Sequence, residues 1–410
     1  MGTFERSVVR SDVMKINNIC ISGVGGIKEL ELNFNEKFNV ICGANGIGKT
    51  TVLNIIADAF CGNGNLVKRN SNYQEGYYSI KYNNFEGNDA VRNLIVREYN
   101  PNMLEHNDRY SSEDTKFILY FTINRMINYQ NLQAIPKDPT RANYEAGELF
   151  VSGIRADDLK GWFENRFLFY NQNNSMTVEQ KDNFDVAKKV FGILDETVCF
   201  KAVDSGTLDI VLQTNRGDIF FEYLSAGYKT CVFIILGIIK ELEFRFKSPF
   251  VKAKDFDGVV LIDEIDLHLH PNWQSKLIEA LKRIFPQIQF IVTTHSPSVL
   301  QSLEVDEIIP LTMWEDGSIH LKNLNLGKYG LKGWSIEEIL KDVMEMPLTT
   351  SIFFENVKND FDKAMDKDDV EGIWQNYRIL TEMLHPDSIL KKILEIQMAG
   401  VDNNDSHCTY

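Results

Sequence analysis

No stretch of the 410-residue sequence is suited to crossing a bilayer as a helix. The longest apolar run is nine residues, Cys231 to Ile239, where about 20 are needed. The first fourteen residues carry arginines and acids but no apolar segment of the kind a secretory leader uses, so none is expected. Met1-Gly2 does not make a myristoylation start, because Arg6 stands where Ser or Thr is required. Cysteine is sparse, at positions 20, 42, 61, 199, 231 and 408, with no CxxC pair and no Cys/His spacing suited to a metal. Reduced, mostly buried thiols in a cytoplasmic protein are expected. Positive charge is in deficit: 43 Lys and Arg against 58 Asp and Glu leave a net charge of −15. That argues against a basic nucleic-acid coat, while leaving room for a local positive patch. Internal repeats and low-complexity blocks are also missing. What is present is a globular composition, 44% hydrophobic and 25% charged, which excludes a largely disordered chain. The length suits two or three structural units.

The pattern of the chain is α/β. Lys15–Ile21, Leu30–Phe34 and Phe38–Cys42 read as strands, and Thr50–Phe60 as a helix. Residues 61–116 read as short strands and loops in no assignable order. Phe117–Ile123 is a strand, and roughly 140–197 is an inserted helical subdomain with helices at Asp157–Asn171 and Val178–Leu194. Strands follow at 198–203, 208–213 and 219–223, then a long apolar helix from Ser225 to about Phe244. Gly258–Ile262 and Phe290–Thr293 are uninterrupted apolar strands flanking a helix at Asn272–Phe285, as in a mostly parallel sheet covered on both faces. A head over 1–326 is expected, then a helical extension over 327–400 and a tail at 401–410. The extension has a Ser335/Glu338 capping box and three helices at 353–365, 370–384 and 389–398.

Four motifs carry chemistry. Gly43-Ala44-Asn45-Gly46-Ile47-Gly48-Lys49-Thr50, followed by Thr51, fits G-x-x-x-x-G-K-[ST] between a strand and a helix. Its glycines let successive N–H groups face a phosphate, Lys49 reaches the β- and γ-phosphates, and Thr50 suits Mg²⁺. The apolar strand ending in Asp263-Glu264 places two carboxylates where α/β ligands bind, Asp263 for the metal and Glu264 to orient or deprotonate water. Thr293-Thr294-His295-Ser296-Pro297 ends the next strand with a histidine able to sense a γ-phosphate. Leu224-Ser225-Ala226-Gly227-Tyr228-Lys229 opens the long helix, and the hydroxyl of Ser225 with the N–H of Gly227 makes a second anion site. One phosphate loop with a separate anion-binding helix start suggests a site shared by two copies.

In this order the motifs resemble the Walker A, signature, Walker B with D-loop, and switch histidine of ABC-class ATPase heads. The stretch LIDEIDLHLHPNWQ over 261–274 is similar to soluble ATPases of the overcoming-lysogenisation-defect and SMC/RecF group. LSAGYK, the Tyr120–Arg125 strand end and GWSIEEILKDVM over 333–344 look like the ATPase subunit of Septu-type antiphage systems, which also occurs beside retrons. That resemblance implies an ATP- and Mg²⁺-dependent ATPase that dimerises, works with a separately encoded HNH nuclease, contacts DNA mainly in that complex and has no membrane association. A DNA-clamping repair ATPase of the RecF/SMC kind is the alternative, and a transporter subunit ranks third. The Q-loop is unplaced, with Asn124, Gln130 and Gln133 as candidates, and no coiled-coil arm is evident. His268 and His270 read as interface or structural residues rather than metal ligands. Asp366, Asp368 and Asp369 read as a charged helical turn rather than a nuclease metal pair, so no intrinsic nuclease is expected.

Overall fold

The computed structural model describes residues 14–62, 66–103, 111–125 and 127–401. It divides into two compact units, one through Glu345 and one from Met346. The first opens with β1 (Lys15–Val24), β2 (Ile27–Asn33), β3 (Phe38–Gly43), α1 (Lys49–Phe60), β4 (Gly76–Asn83), β5 (Asp89–Val96) and β6 (Ile118–Phe121). Three helices follow: α2 (Asn143–Ser152), α3 (Leu159–Phe169) and α4 (Val178–Leu194). Then come β7 (Cys199–Val203), β8 (Ile210–Thr214), β9 (Gly217–Phe220), α5 (Ala226–Arg245), β10 (Val259–Ile262) and α6 (Pro271–Ile284). The unit ends with β11 (Gln289–Thr293), α7 (Pro297–Leu300), β12 (Ile308–Met313), β13 (Ile319–Leu321) and α8 (Ile336–Asp342).

The central sheet runs β13-β12-β3-β11-β10-β6, parallel except for β13. Side chains alternate across a strand, and here both directions are buried. Phe38, Val40 and Cys42 join Leu119, Phe121, Val260, Ile262, Phe290 and Val292 in one core, which includes α5 and α6. Ile41, Tyr120, Val259, Leu261 and Ile291 join the other, built with α1 and the antiparallel sheet β2-β1-β4-β5. This double burial is why the strands read as continuous apolar runs. The short sheet β7-β8-β9 lies beyond the helical insertion.

Two features depart from the sequence reading. Contacts divide the chain after Glu345 rather than after Leu326, because Leu331, Ile339, Val343 and Met344 are buried in the core shared with α5 and α6. The edge pair β12 and β13 was not anticipated: Pro310 interrupts the first run, and the second is only three residues long.

The second unit holds α9 (Ile352–Asp366), α10 (Val370–Met383) and α11 (Ile389–Met398) around Val357, Phe361, Ile373, Leu380 and Leu394. Asp369 caps α10 by accepting a hydrogen bond from the Gly372 N–H at 3.2 Å, so the acidic turn is built into the helical hairpin. Ile389, Ile393 and Ile396 form an exposed stripe on α11, and Phe353 is exposed on α9.

Helix α5 is buried at every residue except Ala226 and Lys229, charged ones included. Glu241 accepts from Arg141 Nε at 3.0 Å and Arg245 Nε at 3.3 Å. Glu243 accepts from Trp162 Nε1 at 2.9 Å, Arg166 Nε at 2.6 Å and Asn183 Nδ2 at 3.2 Å. Burial pushes Glu241 up, but Lys240, Arg245 and Arg141 outweigh it and hold the carboxyl below its ordinary range. These pairs tie α3 and α4 to the end of α5, where each buried charge has an opposite charge beside it. Glu241→Ala takes the carboxylate partner from Arg245, while Arg141 and Lys240 keep Asp158, and is expected to lower the unfolding free energy by about 3–5 kcal/mol. Urea denaturation monitored by circular dichroism measures it, with Glu241→Gln losing less.

Candidate nucleotide site

The phosphate loop begins where β3 ends. Gly43, Gly46 and Gly48 have φ of 137°, 77° and 93°, a region that favours glycine. Gly43 has a second reason to lack a side chain: an added Cβ would lie 2.4 Å from the carbonyl oxygen of Leu311 on β12. Gly48 caps α1 without a side chain, and the first turn of α1 has no acid. Its N–H groups and the positive end of the helix therefore suit an anion. Asn45 and Gly46 are exposed, Ala44 is half-buried and Ile47 is buried, so the loop's tip faces outward on an apolar anchor.

Lys49 is buried, and its ammonium donates to the carbonyls of Gly43 at 2.9 Å and Ala44 at 2.8 Å. Burial lowers its pKa to about 8, against the opposing pull of Cys42, Glu264, Asp266 and Asp263. At neutral pH the group is mostly charged, and its desolvation makes a phosphate partner favourable.

The parallel order β3-β11-β10-β6 brings four strand ends together. Asp263 leaves β10 with its N–H donating to Phe121 O at 2.9 Å, and its Oδ1 accepts from Thr50 Oγ1 at 3.0 Å and Thr293 Oγ1 at 2.7 Å. Thr50 and Asp263 thus present two hard oxygens at one point, a donor set that fits Mg²⁺ completed by phosphate oxygens. Among the described residues no cluster of three or more His, Cys, Asp or Glu forms a metal cage. Glu264 is half-buried with φ 48°, left-handed for a side chain that disfavours it. Its N–H donates to Thr293 Oγ1 at 2.7 Å.

His295 is half-buried, and burial followed by the Lys49 ammonium lowers its pKa. A neutral imidazole at pH 7 follows, able to donate or accept. Asp266 Oδ1 accepts from Thr294 Oγ1 at 2.6 Å and His295 N at 3.2 Å, which fastens the loop after Glu264 to the histidine strand end. His270 caps α6, its Nδ1 accepting from Asn272 N, and His268 is exposed with φ 64°.

Lys49, Thr50, Asp263, Glu264 and His295 are therefore gathered in one place, and Ser225 and Gly227 are not among them. Ser225 is the exposed N-cap of α5, its Oγ accepting from Tyr228 N at 3.3 Å. The nearest neighbours of Gly227 belong to His268, Trp273 and Leu269. The sequence reading assigned no role to Asp266, Thr293 or Arg125. Arg125 follows β6 beside Asp263, and its signals are a cation close behind an apolar strand and its place in the Tyr120–Arg125 stretch. Asn124 is exposed just before it, whereas Gln130 lies on a separate cavity of about 120 Å³, lined also by Tyr129, Lys160, Phe163, Glu222 and Lys229.

Two family models match the chain. One for an AAA domain matches residues 18–215. Another AAA-domain model, whose description refers to the AbiEii toxin and Type IV TA system, matches 178–301. The chain is 40% identical over 389 residues to the Septu protein PtuA of Bacillus thuringiensis, covering 94% of this chain and 98% of that protein. The chain belongs to the Septu PtuA family. It is an ATPase of antiphage defence, with an α/β head. It is also 22% identical to the retron Vc95 probable ATPase of Vibrio cholerae serotype O1 biovar El Tor, over 73% of this chain and 74% of that protein. The SMC head domain from Thermotoga maritima aligns at TM-score 0.39 and 12% identity, over 76% of this chain and 100% of that one. Among the described residues no helix is long and apolar enough to cross a membrane.

Lys49→Ala is expected to abolish nucleotide binding in a fluorescent-analogue titration. Glu264→Gln should leave affinity within about threefold and cut turnover roughly 10²–10⁴-fold, the range for losing a general base. Equal affinity loss in both variants would contradict the division of roles.

Proposed function

We propose that this ATPase binds ATP with Mg²⁺ on residues 43–51 and closes two such sites across a homodimer. Each site is completed by Ser225 and Gly227 of the other copy, and closure regulates a separately encoded HNH-type nuclease. The observation that carries the shared site is the position of Ser225. It is exposed and caps a helix start with no acid in its first turn, and Gly227, two residues on, lies against His268 and Leu269 in the loop after Glu264. Such a helix start attracts an anion supplied from outside the chain.

Within each site Lys49 and the loop N–H groups hold the phosphates, and Thr50 and Asp263 hold the metal ion. The ion supplies charge neutralisation on the phosphate oxygens. Glu264 orients a water and accepts its proton, while the neutral imidazole of His295 donates a hydrogen bond toward the γ-phosphate. The nuclease partnership is supported by membership of the Septu family. The exposed stripe Ile389, Ile393 and Ile396 supports the second unit as its docking platform.

Ser225→Arg is expected to stop hydrolysis while leaving monomer nucleotide affinity intact. Mixing it with Lys49→Ala in equal amounts should restore about a quarter of wild-type activity, since random pairing leaves one complete site in each mixed dimer. No recovery at any ratio refutes site sharing. Deleting residues 346–410 should abolish co-purification with the nuclease while retaining ATP binding; persistence of the complex would place docking on the first unit.

A further inference from the structure

We infer that Arg125 is a positioning residue for hydrolysis, fixing the backbone that aims Glu264; the inference rests on the ATPase reading of the Asp263–Glu264 strand end. Where β10 stops, strand pairing no longer serves the carbonyls of Asp263 and Glu264. Arg125 takes both, its Nη2 donating to Asp263 O at 2.7 Å and to Glu264 O at 2.5 Å. On the other side, the N–H of Glu264 is held by Thr293 Oγ1 at 2.7 Å. Residue 264 is thus gripped through both of its peptide groups while it sits at φ 48°. A glutamate does not stay in the left-handed region without such restraint, and strain of this kind collects at functional sites.

The guanidinium is also kept where an apolar side chain would cost less to bury. Arg125 is 3% exposed, and its Nε and Nη1 have no hydrogen-bond partner in the structure. Its charge faces Asp263, Asp266 and Glu264, so it also offsets repulsion among three crowded carboxylates. A buried polar group with unmet hydrogen bonds calls for an explanation. Here it is the service to two consecutive carbonyls: the Leu267 N–H also reaches Glu264 O at 2.8 Å, and Arg125 joins that carbonyl to the one before it. Nucleotide affinity depends on Lys49 and the loop N–H groups, none of which Arg125 contacts in its hydrogen bonds. Loss of Arg125 therefore acts on the chemical step: the peptide after Glu264 relaxes and the carboxylate swings off its line.

The test measures kcat, KM and MgATP affinity for the full chain as wild type, Arg125→Lys, Arg125→Met, Glu264→Gln and the double variant Arg125→Met/Glu264→Gln. Arg125→Met should lower kcat about 100-fold, the scale of a misplaced catalytic group, with affinity within about threefold. Arg125→Lys keeps the charge and a single nitrogen able to donate to both carbonyls, but on a side chain of different reach and without the planar geometry, and should recover part of that loss, to about tenfold below wild type. Acting through Glu264, Arg125→Met should add less than about threefold in the Glu264→Gln background. Losses that multiply, parallel losses of affinity and kcat, or wild-type kcat in both single variants would overturn the inference. If Arg125→Met does not fold, Arg125→Lys decides on the same kcat and affinity readout. A Glu264→Gln enzyme with normal turnover would instead refute the hydrolytic site itself, a failure separate from that of Arg125.

Discussion

Oxygen Oδ1 of Asp263 takes the hydroxyl of Thr50 from the start of α1 and that of Thr293 from the end of β11. A buried carboxylate needs such partners, and here they come from the neighbouring strand β11 and from the helix that follows β3. The requirement fixes three elements at one height. The phosphate loop cannot slide along its helix, β11 cannot shift its register against β10, and Glu264 emerges at one angle. The parallel order of the sheet makes the arrangement possible, since all of these strand ends point the same way.

The sheet separates two cores, and the helix α5 links distant parts of one of them. Its first turn carries the signature serine, and its last turns carry the buried charges that hold the helical insertion. A helix buried almost all round moves as a rod. One continuously buried helix therefore connects Ser225 to the helices of the insertion. The cavity of about 120 Å³ between Tyr129, Lys160 and Glu222 leaves room along that path.

Much of this was legible because it rests on local rules. The uninterrupted apolar runs of β3, β10 and β11 mark doubly covered strands, and α11 has the bounds its periodicity predicts, 389–398. Lys49 and Thr50 at the start of α1, and Asp263, Glu264 and His295 behind their strands, stand out from local pattern, and the sheet order brings them together. The hydrogen bonds of Thr293 and Asp266 were not, because each depends on which strands neighbour one another, and side-chain period does not encode strand order. Helix α2 gave a poor signal for a different reason: Ala142 at its N-cap offers no side-chain acceptor, although Glu145 still returns to the Ala142 N–H. The unit boundary was misread because an amphipathic helix looks the same whether it covers the head or an appendage. Only the burial of Ile339 and Val343 decides for α8.

The contact between Gly43 and β12 bears on any attempt to reduce this head to a minimal domain. The last chemical motif ends at Pro297, and a truncation drawn from motifs alone would stop soon after it. Yet Leu311 pairs with Gly43 in the sheet, and Ile319 on β13 packs near Gly48. A shortened chain would keep all four motifs and lose the wall against which the loop is shaped. The smallest working unit is set by that wall, and it extends past the edge hairpin.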